Sequence, residues 1–184
     1  MPSGRYLVAL AFALGISSVA SPQSLSAQLS LEGRIGAAIP VGDLTDDPGL
    51  NQTAGFGLAG AAMYTFHPNL SVYAEASGQW FNCDDCDTDV NNWGIDGGLK
   101  YILFESGSAF PWVRAGLAVQ QVSVGDGDGE WGVGLDSGIG IDWLLSPNFA
   151  LVPAVYFDVY QATDDLTVSY VSIDLGVHWH LYPR

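Results

Sequence analysis

The chain has 184 residues, 48% of them hydrophobic, yet its formal net charge is −15 with only 5 Lys and Arg. So few cations exclude a nucleic-acid partner, because phosphate backbones are bound through Lys and Arg. The 23 glycines, many set inside apolar runs, would each weaken a helix by about 1 kcal/mol and point to β structure.

The chain opens on an export pattern. Arg5 precedes the apolar run Tyr6–Ile16, and the small residues Ser17, Ser18 and Ala20 follow. A charged start, a short apolar segment and a small-residue cleavage site predict a secretory signal peptide over 1–20, with cleavage after Ala27 as the alternative. The run is shorter than the roughly 20 residues of a spanning helix. No later segment approaches the ~18 uninterrupted apolar residues such a helix needs. Residues 28–184 then amount to a single domain.

From Gln28 onward a period-2 pattern of apolar residues appears, which in a strand puts one greasy face opposite one polar face. The first strand sets Leu29, Leu31, Ile35, Ala37 and Ile39 against Ser30, Glu32, Arg34 and Gly36, and Pro40 is expected to end it. The stretch 42–52 is a polar, turn-rich loop. A second strand, Gly55–Phe66, and a third, Leu70–Trp80, flank the tight turn His67-Pro68-Asn69, and 82–91 is a loop dense in carboxylates. The fourth strand runs from Trp93 to Leu103 and the fifth alternates Val113, Ala115, Leu117 and Val119 with Trp112, Arg114, Gly116 and Gln120. After the loop 125–130 the sixth strand carries Val133, Leu135, Ile139, Ile141 and Trp143, and the seventh Phe149, Leu151, Val155, Phe157 and Val159. Pro153 lies inside the seventh and cannot donate to a ladder, so a bulge or a locally unpaired position is expected there. The eighth strand, Val171–Leu181, must pair back to Leu29–Ile39 to remove the open edges. Eight strands of roughly 10–13 residues match the length of a tilted membrane-spanning strand.

The polar face decides between a soluble and a membrane barrel. It is rich in Gly and Ala and holds Glu32, Arg34, Glu75, Asp96, Lys100, Arg114, Asp136, Asp142, Asp158 and Asp174. Small residues with a few opposed charges suit a narrow closed interior. Every basic residue between the signal and Arg184 falls on this face, as expected if Arg34, Lys100 and Arg114 pair with carboxylates inside a lumen. Tyr64, Phe66, Tyr101, Trp143 and Trp179 fall at the short-turn ends of the apolar faces, and Trp80 and Trp93 at the long-loop ends. Girdles at two interfaces are a membrane-barrel signature. The fold class is therefore all-β: an eight-stranded antiparallel up-and-down transmembrane β-barrel. A soluble lipocalin-like barrel, which would bury the Leu/Val/Ile face around an apolar ligand, is the alternative.

With its export signal, eight alternating strands, short turns, long loops and aromatic last strand, the chain resembles the small outer-membrane β-barrels of the OmpA/OmpX-like superfamily. Asp174, Gly176, Trp179 and Leu181 are similar to that group's C-terminal assembly signal, although Tyr182-Pro183-Arg184 follows where a terminal Phe is commonest. The resemblance implies an outer-membrane location with periplasmic termini and recognition by the barrel-assembly machinery. It also implies contact with outer-membrane lipids and lipopolysaccharide.

Three constellations could carry chemistry. Cys83 and Cys86 share one exported loop, where oxidising conditions favour a disulfide over free thiols or a metal or redox role. Asp85, Asp87 and Asp89, and Asp126, Asp128 and Glu130, are weak candidates for a hard cation. The first set mimics the start of a calcium loop without its sixth-position Gly or twelfth-position Glu, so a solvated acidic loop is the plainer reading. His178 and His180 share the polar face with Asp174, and no serine motif accompanies them, which favours lumen lining over a lipid-modifying hydrolase. No catalytic residue, cofactor or nucleic-acid partner is expected.

Overall fold

The computed structural model describes residues 28–46, 52–83, 90–125, 129–163 and 166–181. The predicted signal segment, Cys86 and the loop carboxylates Asp85, Asp87, Asp89, Asp126 and Asp128 lie outside the described residues. The strands are β1 (Gln28–Val41), β2 (Gln52–His67), β3 (Leu70–Cys83), β4 (Val90–Ile102), β5 (Ala109–Val124), β6 (Glu130–Ser146), β7 (Phe149–Thr163) and β8 (Leu166–His180). Each is hydrogen-bonded antiparallel to its sequence neighbours, and β8 pairs back to β1 to close the barrel. The closing register sets Leu31 opposite Trp179 and Ile39 opposite Val171, so the two strands expected to meet do meet.

The strands run 13 to 17 residues, longer than the 10–13 expected from alternation. Pro40 does not end β1, which continues to Val41 and pairs Pro40 with Tyr170 of β8. The β1–β2 ladder has already stopped at Ala38, so the missing proline donor is not needed on that side. Pro153 lies in the locally unpaired position the sequence suggested. β6–β7 pairing skips Val152 and Pro153 without changing register, while Pro153 stays opposite Leu175 of β8.

The connection after β1 contains a four-residue helix, α1 (Asp43–Asp46), where only loop was expected. Gly42 enters it with φ of 64°, a left-handed conformation that glycine adopts without a Cβ penalty. Asp43 Oδ2 accepts the Thr167 backbone N–H at 3.0 Å, which ties α1 to the start of β8. Leu44 is thereby folded inward and fully buried.

Candidate functional site

Closing eight strands leaves an interior just wide enough for side chains to fill. Alternation turns one residue in two inward, and the interior is layered. At the long-loop end Leu44, Phe81, Val90, Val122, Tyr160, Val168 and Tyr170 form an apolar cluster. At the short-turn end a second cluster gathers Ile102, Phe110, Trp112, Val152, Ala154 and Tyr156.

Charged side chains fill the lumen below the first cluster and interleave with the second, where Asp142 stands opposite Phe110. Arg34 donates from Nη1 and Nη2 to Glu75 at 2.5 and 2.7 Å, and from Nε to Asp174 at 2.7 Å. Arg114 donates to the same Glu75 carboxylate at 2.8 and 3.0 Å and to Asp136 at 2.9 Å. Glu75 is therefore clamped by two guanidinium forks, the geometry in which arginine binds a carboxylate best. Tyr73 donates its hydroxyl to Asp136. The Tyr156 ring lies under both arginines, 3.7 Å from the Arg34 guanidinium carbon and 4.1 Å from that of Arg114. Towards the turns Lys100 Nζ donates to both Asp142 oxygens at 2.9 and 3.0 Å, stands 3.7 Å from Glu32, and packs 4.4 Å from the Trp112 ring centroid. Asp96 takes no cation among the described residues and is held by Gln120 at 2.7 Å and Ser77 at 3.0 Å.

Glycine supplies the room these side chains need. A Cβ built on inward-facing Gly140 would stand 2.5 Å from the Trp112 ring and 2.8 Å from the Ala154 methyl. One on Gly138 would stand 2.6 Å from the Tyr156 ring. The glycines of β6 are thus the counter-shape of the aromatics on β5 and β7.

The exterior is the inverse of a soluble protein's. Ile35 is 62% exposed, Val133 65% and Leu135 58%, and the Leu/Val/Ile face that a lipocalin-like barrel would bury is outside. The outward Ser137 hydroxyl donates to the Phe157 carbonyl at 3.2 Å and so does not require water. Tyr64, Phe66, Tyr101, Trp143 and Trp179 are exposed towards the short turns, and Trp80, Trp93 and Trp131 towards the loops. Phe56 stacks on Trp80 with centroids 4.9 Å apart, and Trp93 meets Trp131 edge-on at 5.2 Å. Apolar walls between aromatic rims suit a hydrocarbon slab, and every strand finds hydrogen-bond partners on both sides, as that setting demands.

All ten charged residues assigned to the polar face point into the lumen and are buried. Asp158 is among them, yet it makes no ion pair among the described residues. It lies directly opposite Asp136 across β6–β7. Cys83, at the end of β3, is disulfide-bonded. Glu130 is exposed at the start of β6. Asp174 and Gly176 face inward while Trp179 faces out and stacks on Phe149 at 6.1 Å. The Leu181 N–H donates to the Leu29 carbonyl at 3.2 Å, closing the seam at its last residue. His178 and His180 are buried in the lumen, and so is Ser30, the register partner of His180. None of the three is presented at a rim.

The apolar cluster at the loop end was missed, because its members sit on the parity that is otherwise polar. Phe81, Val122, Tyr160, Val168 and Tyr170 all lie near strand ends that face long loops. That local breach of alternation is the signal that would have located them.

A closed eight-stranded barrel, polar within and apolar without, is the fold of the small transmembrane barrels, as the OmpA/OmpX-like resemblance implied. Among solved structures the chain is similar to Neisserial surface protein A, at 17% identity and a TM-score of 0.67, over 82% of this chain and 96% of that one. It is similar also to the outer membrane protein OprG of Pseudomonas aeruginosa, at 13% identity and a TM-score of 0.58, over 85% and 96%. The N-terminal β-barrel domain of OprF from the same organism matches at 17% identity with a TM-score of 0.53, over 84% and 99%. At these identities the likeness is one of fold. No protein-family model matches the sequence, and no curated protein matches it.

Proposed function

We propose that this chain is a non-enzymatic integral protein of a bacterial outer membrane. Its termini lie in the periplasm, its long acidic loops lie outside, and its role is structural or surface-interactive. The observation that carries this reading is the inverted exterior, an apolar belt between two aromatic rims around an interior filled by side chains. The lumen does not conduct, because the Glu75 clamp, the Lys100–Asp142 pair and the two apolar clusters occupy it. Burial of His178, His180 and Ser30 supports a lumen without catalysis, since a lipid substrate would need them at a rim. Outer-membrane lipids and lipopolysaccharide are its surroundings. The barrel-assembly machinery, reading Asp174, Gly176, Trp179 and Leu181, is its partner during biogenesis.

Gel mobility of unboiled against boiled protein from an outer-membrane fraction tests the placement. The folded barrel should migrate apart from the heated chain, and an unshifted band from a soluble fraction would end this reading. Planar-bilayer recordings test the lumen separately: little conductance is expected, and large steady channels would contradict a filled interior.

A further inference from the structure

We infer that the turn-side end of the lumen holds a site for one divalent transition-metal ion, with Glu32, Asp142 and His178 as its ligands. These residues come from β1, β6 and β8, and one ligating atom of each lies within 4.8 Å of the other two. His178 Nδ1 stands 3.4 Å from Asp142 Oδ2 and 3.9 Å from Glu32 Oε2. Two ligands bound tetrahedrally at 2.0–2.1 Å stand roughly 3.3 Å apart, so a contraction of a few tenths of an ångström would complete the site.

A second observation points the same way. Among the described residues Glu32 Oε2 and both His178 ring nitrogens make no hydrogen bond of good geometry, the 3.4 Å contact to Asp142 apart, although Glu32 and His178 are 5% and 4% exposed. Buried polar atoms of this kind are ordinarily satisfied, and here two face the same point. The lumen is also short of positive charge. Among the described residues seven buried carboxylates face Arg34, Lys100 and Arg114. One imidazole and two carboxylate oxygens select a zinc-like ion over calcium or magnesium, which take oxygen ligands.

Lys100 fits as an outer partner. Its ammonium donates to both Asp142 oxygens, at 2.9 and 3.0 Å, so it shares Oδ2 with the metal and opposes it by like charge. The His180 ring, 4.3 Å from that of His178, covers the imidazole. An enclosed site of this kind takes up its ion during folding, so the test is made by refolding.

The full-length barrel, refolded into detergent micelles with a slight excess of zinc and then desalted, should retain one zinc per chain. H178A and E32Q should lower zinc affinity by about 10–100-fold, while K100M, which removes the opposing charge, should raise it about tenfold. Folding of each variant is checked by its heat-dependent gel mobility. Cobalt in place of zinc on the wild-type protein should give the visible bands of a low-symmetry nitrogen–oxygen site, a readout that needs no variant. Zinc retained undiminished by H178A would place the ion on the acidic loops and overturn the assignment. Wild-type protein that emerges free of zinc would overturn it too, leaving His178 as a packing residue.

Discussion

Replacing Glu75 by Gln removes one charge from the centre of the lumen while keeping the side chain's shape. Four guanidinium hydrogen bonds end on that carboxylate, two from Arg34 and two from Arg114, at 2.5 to 3.0 Å. The amide keeps one acceptor oxygen and turns an N–H₂ towards donors that cannot accept it. A unit charge pair about 4 Å apart is worth about 4 kcal/mol at an effective dielectric of 20. Asp174 and Asp136 remain as partners for the two arginines, so neither is left bare. Breaking a buried ion pair from one side costs about 3–5 kcal/mol, and that is the loss expected here. Urea unfolding in micelles, followed by tryptophan fluorescence, measures it. The lumen is sealed by packing on both sides of this layer, so conductance should stay low even as stability falls. A loss under about 1 kcal/mol would refute the reasoning, since Glu75 would then be one charge among several and not the bridge between two arginines.

Asp158→Asn should be neutral or stabilising by up to about 1 kcal/mol in the same assay, because the residue faces Asp136 across the ladder and pairs with no cation among the described residues. A loss comparable to that of Glu75→Gln would reveal a partner that the geometry does not include. Leu135→Arg, on the outer wall between Trp131 and Trp143, should cost about 2–4 kcal/mol in a lipid bilayer. An unchanged folding free energy in vesicles would count against a lipid-facing wall. Gly140→Ala should cost about 1–3 kcal/mol by pressing on Trp112, and trimming that ring in Gly140→Ala/Trp112→Leu should recover part of the loss.

Much of the fold was legible because a period of two is hard to disguise over strands this long. Leu29, Leu31, Ile35 and Ile39 declare their face without reference to any other part of the chain. The ends of the strands were less legible. Pro40 reads as a terminator locally, and only the early stop of the β1–β2 ladder reveals that β1 continues. The inward placement of Arg34, Lys100 and Arg114 follows from parity. Their partners do not, since Arg34 to Glu75 and Lys100 to Asp142 each span about 40 positions and depend on how the closed sheet is staggered. The Glu32, Asp142 and His178 constellation was hidden for the same reason, as its members come from the first, sixth and eighth strands.

The Arg34–Glu75–Arg114 layer has an apolar cluster towards each end of the lumen, with Leu44 of α1 drawn into the loop-end one. Surface ion pairs weaken as salt rises, because mobile counter-ions gather around each charge. No such atmosphere forms in a space already filled by Tyr156 and Tyr73 packed against the strand glycines. The strength of the Arg34–Glu75–Arg114 bridge is therefore set by the barrel wall and not by the medium. The same internal lock would hold in fresh water and in brine.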